Sequence, residues 1–597
     1  MRGFWNPSSQ NSNIAILVNG VNQVFDNDRS NPMARITVPV EAIDRVEVIR
    51  GPMAVIYGNG ASFGVINIVT NEVSENHRVN LGSVAYGSRN TQKGAARLSG
   101  IGEDSAIVVN ASRYKSDGPD HKFKDMMSAT NFAMLPALGV SDPENYSTDG
   151  LLEQDSRYLG VSGHYGNWVF DFSYNETDIG LFVLLPPIGD GFLRNEKASS
   201  LMLGYREDLS DWFTLDGRVI YNTFDRSDDA EVLQPGSQSV VDVDFDAWEF
   251  ELMSTITPRD DLSVVAGINV RTMTHHNDFT NAPLVGVVNE SFKKDDRETR
   301  AFFTQATYQA TPALKLVAGL RYEDLQGYDA DGITNGGQPN QGQFSFDLGG
   351  VTSTSPRLAA IYEFDPSNII KLLYGEANRL ADDRLDPEVT KTTEINYIHT
   401  GKRYYTSVSL FRNKLRDLVI EDLVVQPDGS LENKDRNAGA LSTLGMEVLL
   451  NGEINESISA ELGVTFQDTD DDSSADVGTA YSPNLLIHAK SAYTHGPLTL
   501  ALLGRYVSSM KPLYDLTKQN PDGSFGARVG DKVGSYYSID VNMRHDKLWR
   551  DLYLDVKFSN IFDKTIRYPN NQETNELLDR GTLGAERAVM GSIGFKF

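Results

Sequence analysis

From about residue 78 to the last residue, the chain repeats one unit: a segment of alternating apolar and polar residues, then a connection, with short and long connections taking turns. Leu552, Leu554, Val556 and Phe558 alternate with Tyr553, Asp555, Lys557 and Ser559. Ile458, Ala460, Leu462, Val464 and Phe466 do the same, as do Tyr537, Ile539, Val541 and Met543. A helix would repeat its apolar residues at three and four, so a period of two means strand. Short connections fall near 101–105, 165–167, 209–212, 257–261, 311–313, 365–368, 400–403 and 495–497. Long polar stretches lie at roughly 115–153, 178–197, 226–242, 276–298, 325–350, 376–390, 411–439, 467–481, 508–533 and 563–586. Antiparallel strands that cross a membrane turn back alternately on its two sides. Short turns on one side and long loops on the other are the habit of outer-membrane barrels.

About 22 such segments can be counted, each near the roughly 9–11 residues that cross a bilayer at a tilt. An even number puts both ends on one side. The expected fold is therefore an all-β transmembrane barrel of about 22 antiparallel strands. A soluble propeller would need short loops at both ends and a repeat of roughly 40–50 residues, and neither is present. The chain ends in an alternating strand with a terminal aromatic, Phe597.

Composition does not oppose this. A mean hydropathy of −0.34 looks soluble, and no apolar run nears the ~18 residues of a membrane helix. A barrel escapes that test because only alternate residues face lipid. The 597 residues include no cysteine, which excludes disulfides and thiolate metal sites. A net charge of −28 without a basic stripe argues against nucleic acid. Met1 to Trp5 lack the apolar core of a signal peptide. An exported barrel needs one, so the chain is expected to be a mature or truncated product. No nucleophile elbow, phosphate loop or HExxH motif occurs, so no enzyme is expected.

Residues 1–77 are different. Ile14–Val18 reads as a strand into a turn at Asn19-Gly20, and Pro39 to Arg50 reads as a helical turn followed by a strand. Gly51, Gly58, Gly60 and Gly64 suit tight turns and close backbone packing. The segment is a small α+β unit, too small to bury a good core alone.

Here the sequence resembles a family. VPVEAIDRVEVIRGPMAVIYGNGASFGVINIVTN, residues 38–71, resembles the plug signature of TonB-dependent outer-membrane receptors, with Arg50-Gly51-Pro52, Tyr57-Gly58 and Gly64 in order. Ser355-Pro356-Arg357, Leu385-Asp386-Pro387-Glu388, Phe411-Arg412-Asn413, Gly445-Met446-Glu447 and Asn560-Ile561-Phe562-Asp563 extend the resemblance through the barrel. It implies a plug over 1–77 inside the lumen of a barrel over 78–597. It also implies a charged latch, with Arg2 and Arg50 on the plug matching Glu394 and Glu447 on the barrel. A guanidinium fork holding carboxylates is physically suited to a closure that must also release. The start at Arg2-Gly3-Phe4 resembles the middle of a plug. The rest of the plug and the box that engages the TonB–ExbB–ExbD complex are expected upstream, outside these residues.

Weaker candidates remain. Asp468, Asp470 and Asp472 alternate as in calcium loops, but Ser473 and Thr479 stand where glycine and glutamate belong. His275-His276 could hold iron or haem, although 377–385 departs from the box of haem receptors. Phe182, Phe192, Tyr328, Tyr514 and Tyr568 could face a planar ligand, and Arg194, Arg436 and Arg567 an anionic one. The resemblance implies no resident cofactor or metal, a monomer in outer-membrane lipid, and uptake of a scarce small molecule, by default a ferric siderophore. Cobalamin, haem, an oligosaccharide, or a passive or defective surface-binding barrel are the alternatives.

Overall fold

The computed structural model describes residues 2, 13–23, 38–51, 54–58, 60–70, 80–181, 191–231, 238–281, 288–335, 342–380, 385–425, 431–437, 439–471, 479–515, 518, 526–570 and 577–597. The barrel runs from Leu81–Gly87 to Ala588–Lys596, and these two strands pair and close it. Twenty-four strands belong to the closed sheet. Two of them, Tyr328–Asn335 and Gly342–Leu348, form a hairpin that rises between Leu314–Leu325 and Val351–Asp365. Those flanking strands pair directly with each other. Setting the hairpin aside leaves a wall of 22 antiparallel strands.

The turns on one side are tight. Eight fall where the sequence places short connections, and two more lie at Glu456-Ser457 and Arg550-Asp551. Alternation is inverted relative to a soluble protein. On Phe192–Ser210, Leu201 and Leu203 face outward while Ser200 and Met202 are buried toward the lumen. Asn110, Asn175, Thr177, Asn222, Thr443 and Thr469 are likewise buried. The wall thus gives its apolar side to lipid and its polar side to the interior.

The other side departs from expectation. Phe192–Ser210, Phe213–Glu231, Gln238–Arg259, Leu262–Asn281 and Val288–Thr311 run for 19 to 24 residues. Much of 178–197, 226–242 and 276–298, expected as loop, is therefore paired strand. Above the membrane the outer face of a ribbon meets water instead of lipid, so the lipid-face signal vanishes, while the inner face stays buried around Phe224, Val243 and Phe245 and backbone pairing continues. The connection at 88–90 is only three residues long and gives no long loop at all. Across the rim, the connections 117–153 and 560–587 fold together instead. Phe123, Met126, Met127, Leu135 and Val140 bury themselves with Leu578, and Ser128 N–H donates to Asp579.

Residues 13–70 hold a four-stranded sheet within the ring: β1 (Ile14–Val18), β2 (Val21–Asn22), β3 (Ile43–Arg50) and β4 (Gly64–Thr70), in the order β2-β1-β4-β3. β1 is parallel to β4, and β3 is antiparallel to it. A 3-10 turn at Val40–Ala42 leads into β3, and one helical turn, α1 (Ala54–Tyr57), follows it. The sheet's own core is small: Ala15, Leu17, Ala61 and Val65, against Ile49 and Tyr57. The remaining burial comes from the wall. Phe63 and Ile14 pack on Leu415, Leu418 and Leu441. Val18, Val38 and Ala42 pack on Tyr158, and Val21 packs on Met202 and Ile220. A unit too small to stabilise itself borrows its core from the barrel.

Candidate functional site

The structure brings Arg2, Arg50, Glu394 and Glu447 together at mid-height in the lumen. Glu394 sits on Glu388–Thr400 and Glu447 on Ala440–Asn455, with Tyr404–Arg416 between them. Both side chains face inward by strand alternation. Arg2 donates from Nη1 to Glu394 Oε2 at 2.7 Å and from Nη2 to Glu447 Oε2 at 3.0 Å. Arg50 Nη1 reaches the same Glu447 oxygen at 2.8 Å. The intervening strand adds Phe411, whose ring lies 4.4 Å under the Arg2 guanidinium. Gly445, paired with Phe411, leaves room for that ring, since a Cβ there would stand 2.2 Å from it. Burial works against the charge on Arg2, but the two carboxylates outweigh it and hold the guanidinium above its ordinary pKa. Arg50 is half-exposed, so its pair is the weaker one.

The signature residues place the backbone. Gly51 (φ +87°) turns the chain after Arg50, and Gly58 (φ +74°) lets α1 approach the wall. A Cβ on Gly58 would lie 2.9 Å from Arg321, which is ion-paired with Glu323 at 2.8 Å in the interior. Burial, with Glu47 nearby, raises the Tyr57 phenol. Gly64 opens β4. Pro52 lies outside the described residues.

A second contact was not legible in the sequence. Asn19, at φ +51° in the β1–β2 turn, donates to Asp171 Oδ2 at 2.6 Å, and its Oδ1 accepts from Thr70 N–H at 2.8 Å. Asp171 lies on Trp168–Gly180, eleven places round the 22-strand ring from the strand of Glu447. The two contacts grip opposite walls. Asx residues in left-handed turns give a local signal, but nothing local points to a carboxylate 152 residues away.

Other candidates fare differently. His275 and His276 cannot share a metal, because neighbours on a strand face opposite ways. His275 stacks on Phe245 at 4.3 Å inside the barrel, and His276 meets Ser291 and Asp278 on the outer face. Asp468 and Asp470 lie on the strand Ile458–Asp471 rather than in a calcium loop; 472–473 lie outside the described residues. Among the described residues no group of three or more His, Asp or Glu is placed to hold a metal. Phe192, Tyr328 and Tyr514 are buried, the last bonded to Asp471 and stacked under Arg528. Tyr568 packs edge-on against Tyr536. Arg194 is ion-paired with Asp228, and Arg567 donates to backbone carbonyls of 125, 580 and 581. Phe182 and the side chain of Arg436 lie outside the described residues.

The pattern that defines the TonB dependent receptor-like β-barrel matches residues 86–560, and that of the TonB-dependent receptor plug domain matches residues 1–65. The chain belongs to the TonB-dependent receptors. These are outer-membrane receptors and transporters, not enzymes. Among curated relatives of this receptor, the ferric enterobactin receptor of Pseudomonas aeruginosa is 36% identical over 125 residues, 19% of this chain and 17% of that one. The ferrienterobactin receptor of Escherichia coli is 35% identical over 121 residues, 20% of this chain and 12% of that one. The vitamin B12 transporter of Vibrio vulnificus is 23% identical over 548 residues, 88% of this chain and 76% of that one. Against the first two, the chain matches well under two thirds of their length. Among solved structures, the ferric yersiniabactin receptor of Yersinia pestis superposes with a TM-score of 0.78 at 14% identity, covering all of this chain and 91% of that one. A copper transporter superposes at 0.74 and 15% identity, over all of this chain and 92% of the other. These likenesses carry the fold alone.

Proposed function

We propose that this receptor takes up an iron chelate of the ferric-siderophore class, with residues 1–77 as the plug and 78–597 as the barrel. Arg2, Arg50, Glu394 and Glu447 are then the latch between them. The carrying observation is the sharing of two wall carboxylates by two plug arginines inside a closed barrel. Such a seal holds while both partners are present and fails as a unit when one is withdrawn, because the charge left behind is buried without a partner. Pulling by the TonB–ExbB–ExbD complex supplies the withdrawal, and ligand at the outer rim supplies the signal by favouring one plug conformation. The ferric enterobactin receptors named above support the cargo class. A radio-iron-labelled panel of catecholate, hydroxamate and citrate chelates, offered to the purified protein, tests it. Saturable binding of one chelate is expected, and binding of none removes the iron reading. The long alignment with the vitamin B12 transporter favours cobalamin as the second reading. Labelled cyanocobalamin in the same assay decides it.

A further inference from the structure

Beside the latch lies a gap of about 360 Å³, bounded by Arg2, Arg50 and Glu447 on one side and by Gln467, His488 and Arg505 on the other. It runs along the seam between the inner sheet and the strands Ile458–Asp471, Leu485–His495 and Leu498–Val507. We infer that this gap is an anion-selective passage along the seam, with Arg505 as the cation that draws small carboxylate or phosphate-like anions into it. The inference stands whether or not the cargo is an iron chelate.

The charge count favours it. Glu394 and Glu447 are both taken by Arg2 and Arg50. Arg505 is exposed to the gap, and no described residue forms an ion pair with it. Glu461, 3.5 Å from His488, stands opposite Lys490 on the neighbouring strand. One guanidinium charge is therefore left over in a partly closed space walled in part by Leu486, Ile487 and Val507, where a charge acts more strongly than in open water. His488 reaches the gap because its cross-strand neighbour is Gly463, and a Cβ there would fall 1.8 Å from the imidazole. Gln467 is buried, donates through Nε2 to the carbonyl of Pro483, and keeps Oε1 without a partner among the described residues. That oxygen can take a donor from a hydroxyl-bearing anion or from its hydration shell. Glu447 also belongs to the latch, so its release from Arg50 widens the gap on that side.

The chain has no cysteine, so a single introduced thiol reports cleanly. Thr465, which also lines the gap, is replaced by cysteine in the full chain. Its reaction rates with the anionic sulfonatoethyl and the cationic trimethylammonioethyl methanethiosulfonates are compared, each normalised to Asn167→Cys in an exposed turn. The anionic reagent should react about threefold to tenfold faster in the gap. The preference should collapse with Arg505→Gln, survive Arg505→Lys, and shrink as salt is raised. An unreactive Thr465→Cys overturns the inference. So does a ratio equal to that at Asn167→Cys, or one indifferent to Arg505→Gln.

Discussion

The inner sheet is held to opposite walls by different chemistry. On one wall a buried guanidinium is shared between two carboxylates, and a second arginine joins one of them. On the other, one carboxylate meets the amide of Asn19. The first contact is charged, reciprocal and cooperative; the second is a single hydrogen bond to a charged group. Both place an acidic residue on the barrel and its partner on the plug, whereas a third contact, Glu41 with Lys93 of the wall at 2.7 Å, reverses that arrangement. Under the proposed latch, the difference predicts an order of release, with the Asn19 side giving way before the arginine side.

Removing the wall carboxylates should produce the largest effect. Glu394→Ala with Glu447→Ala leaves Arg2 buried without a counter-charge, which costs about 3–5 kcal/mol of plug seating. Hydrogen exchange across 43–50 and 64–70 should accelerate while the barrel stays folded by heat-modified electrophoresis. Unchanged exchange would end the latch proposal. Gly58→Val comes next. It forces a branched residue into the left-handed region against Arg321, at about 1–3 kcal/mol. Faster exchange confined to 54–58 and its neighbours is expected; exchange as slow as in the parent would show that α1 need not touch the wall.

Asp171→Ala should cost less, about 1–3 kcal/mol, and should speed exchange in the β1–β2 turn while leaving β3 protected. If β3 loosens equally, the two walls do not act separately. The smallest effect belongs to the outer cap. His121 is buried where the connections 117–153 and 560–587 meet, with Nδ1 3.5 Å from Glu586, which also binds Arg89. Burial lowers its pKa below 6.5, partly offset by Glu586 and reinforced by Arg89. The folded cap therefore favours neutral histidine. That contribution is whole above 6.5 and is lost as the pH falls through 6.5 toward the lowered value. Exchange of 121–148, corrected for intrinsic rates, should rise between about pH 7.5 and about pH 5.5, and His121→Gln should abolish the change.

How much of this was legible varies by element. Strands such as Leu552–Ser559 and Ile458–Asp471 were readable because lipid on one face and lumen on the other impose a period of two. The upper ends of the ribbons between Phe192 and Thr311, within 178–197, 226–242 and 276–298, read as loops because that asymmetry ends where the membrane does. The four latch residues came from resemblance, not spacing, since 392 residues separate Arg2 from Glu394. Phe411 beneath Arg2 and Asp171 across the lumen carried no local mark.

By itself the sequence determined a membrane-spanning barrel and its even strand number, because each follows from patterns that neighbouring residues carry, while the blocked lumen came from resemblance to a plug signature. Only the tertiary structure decided which walls hold the plug, that His275 and His276 face apart, and that Arg505 is left over beside the latch. Those depend on ring closure, which sets distant strands side by side or face to face, and no local rule encodes where on the circle a strand will stand.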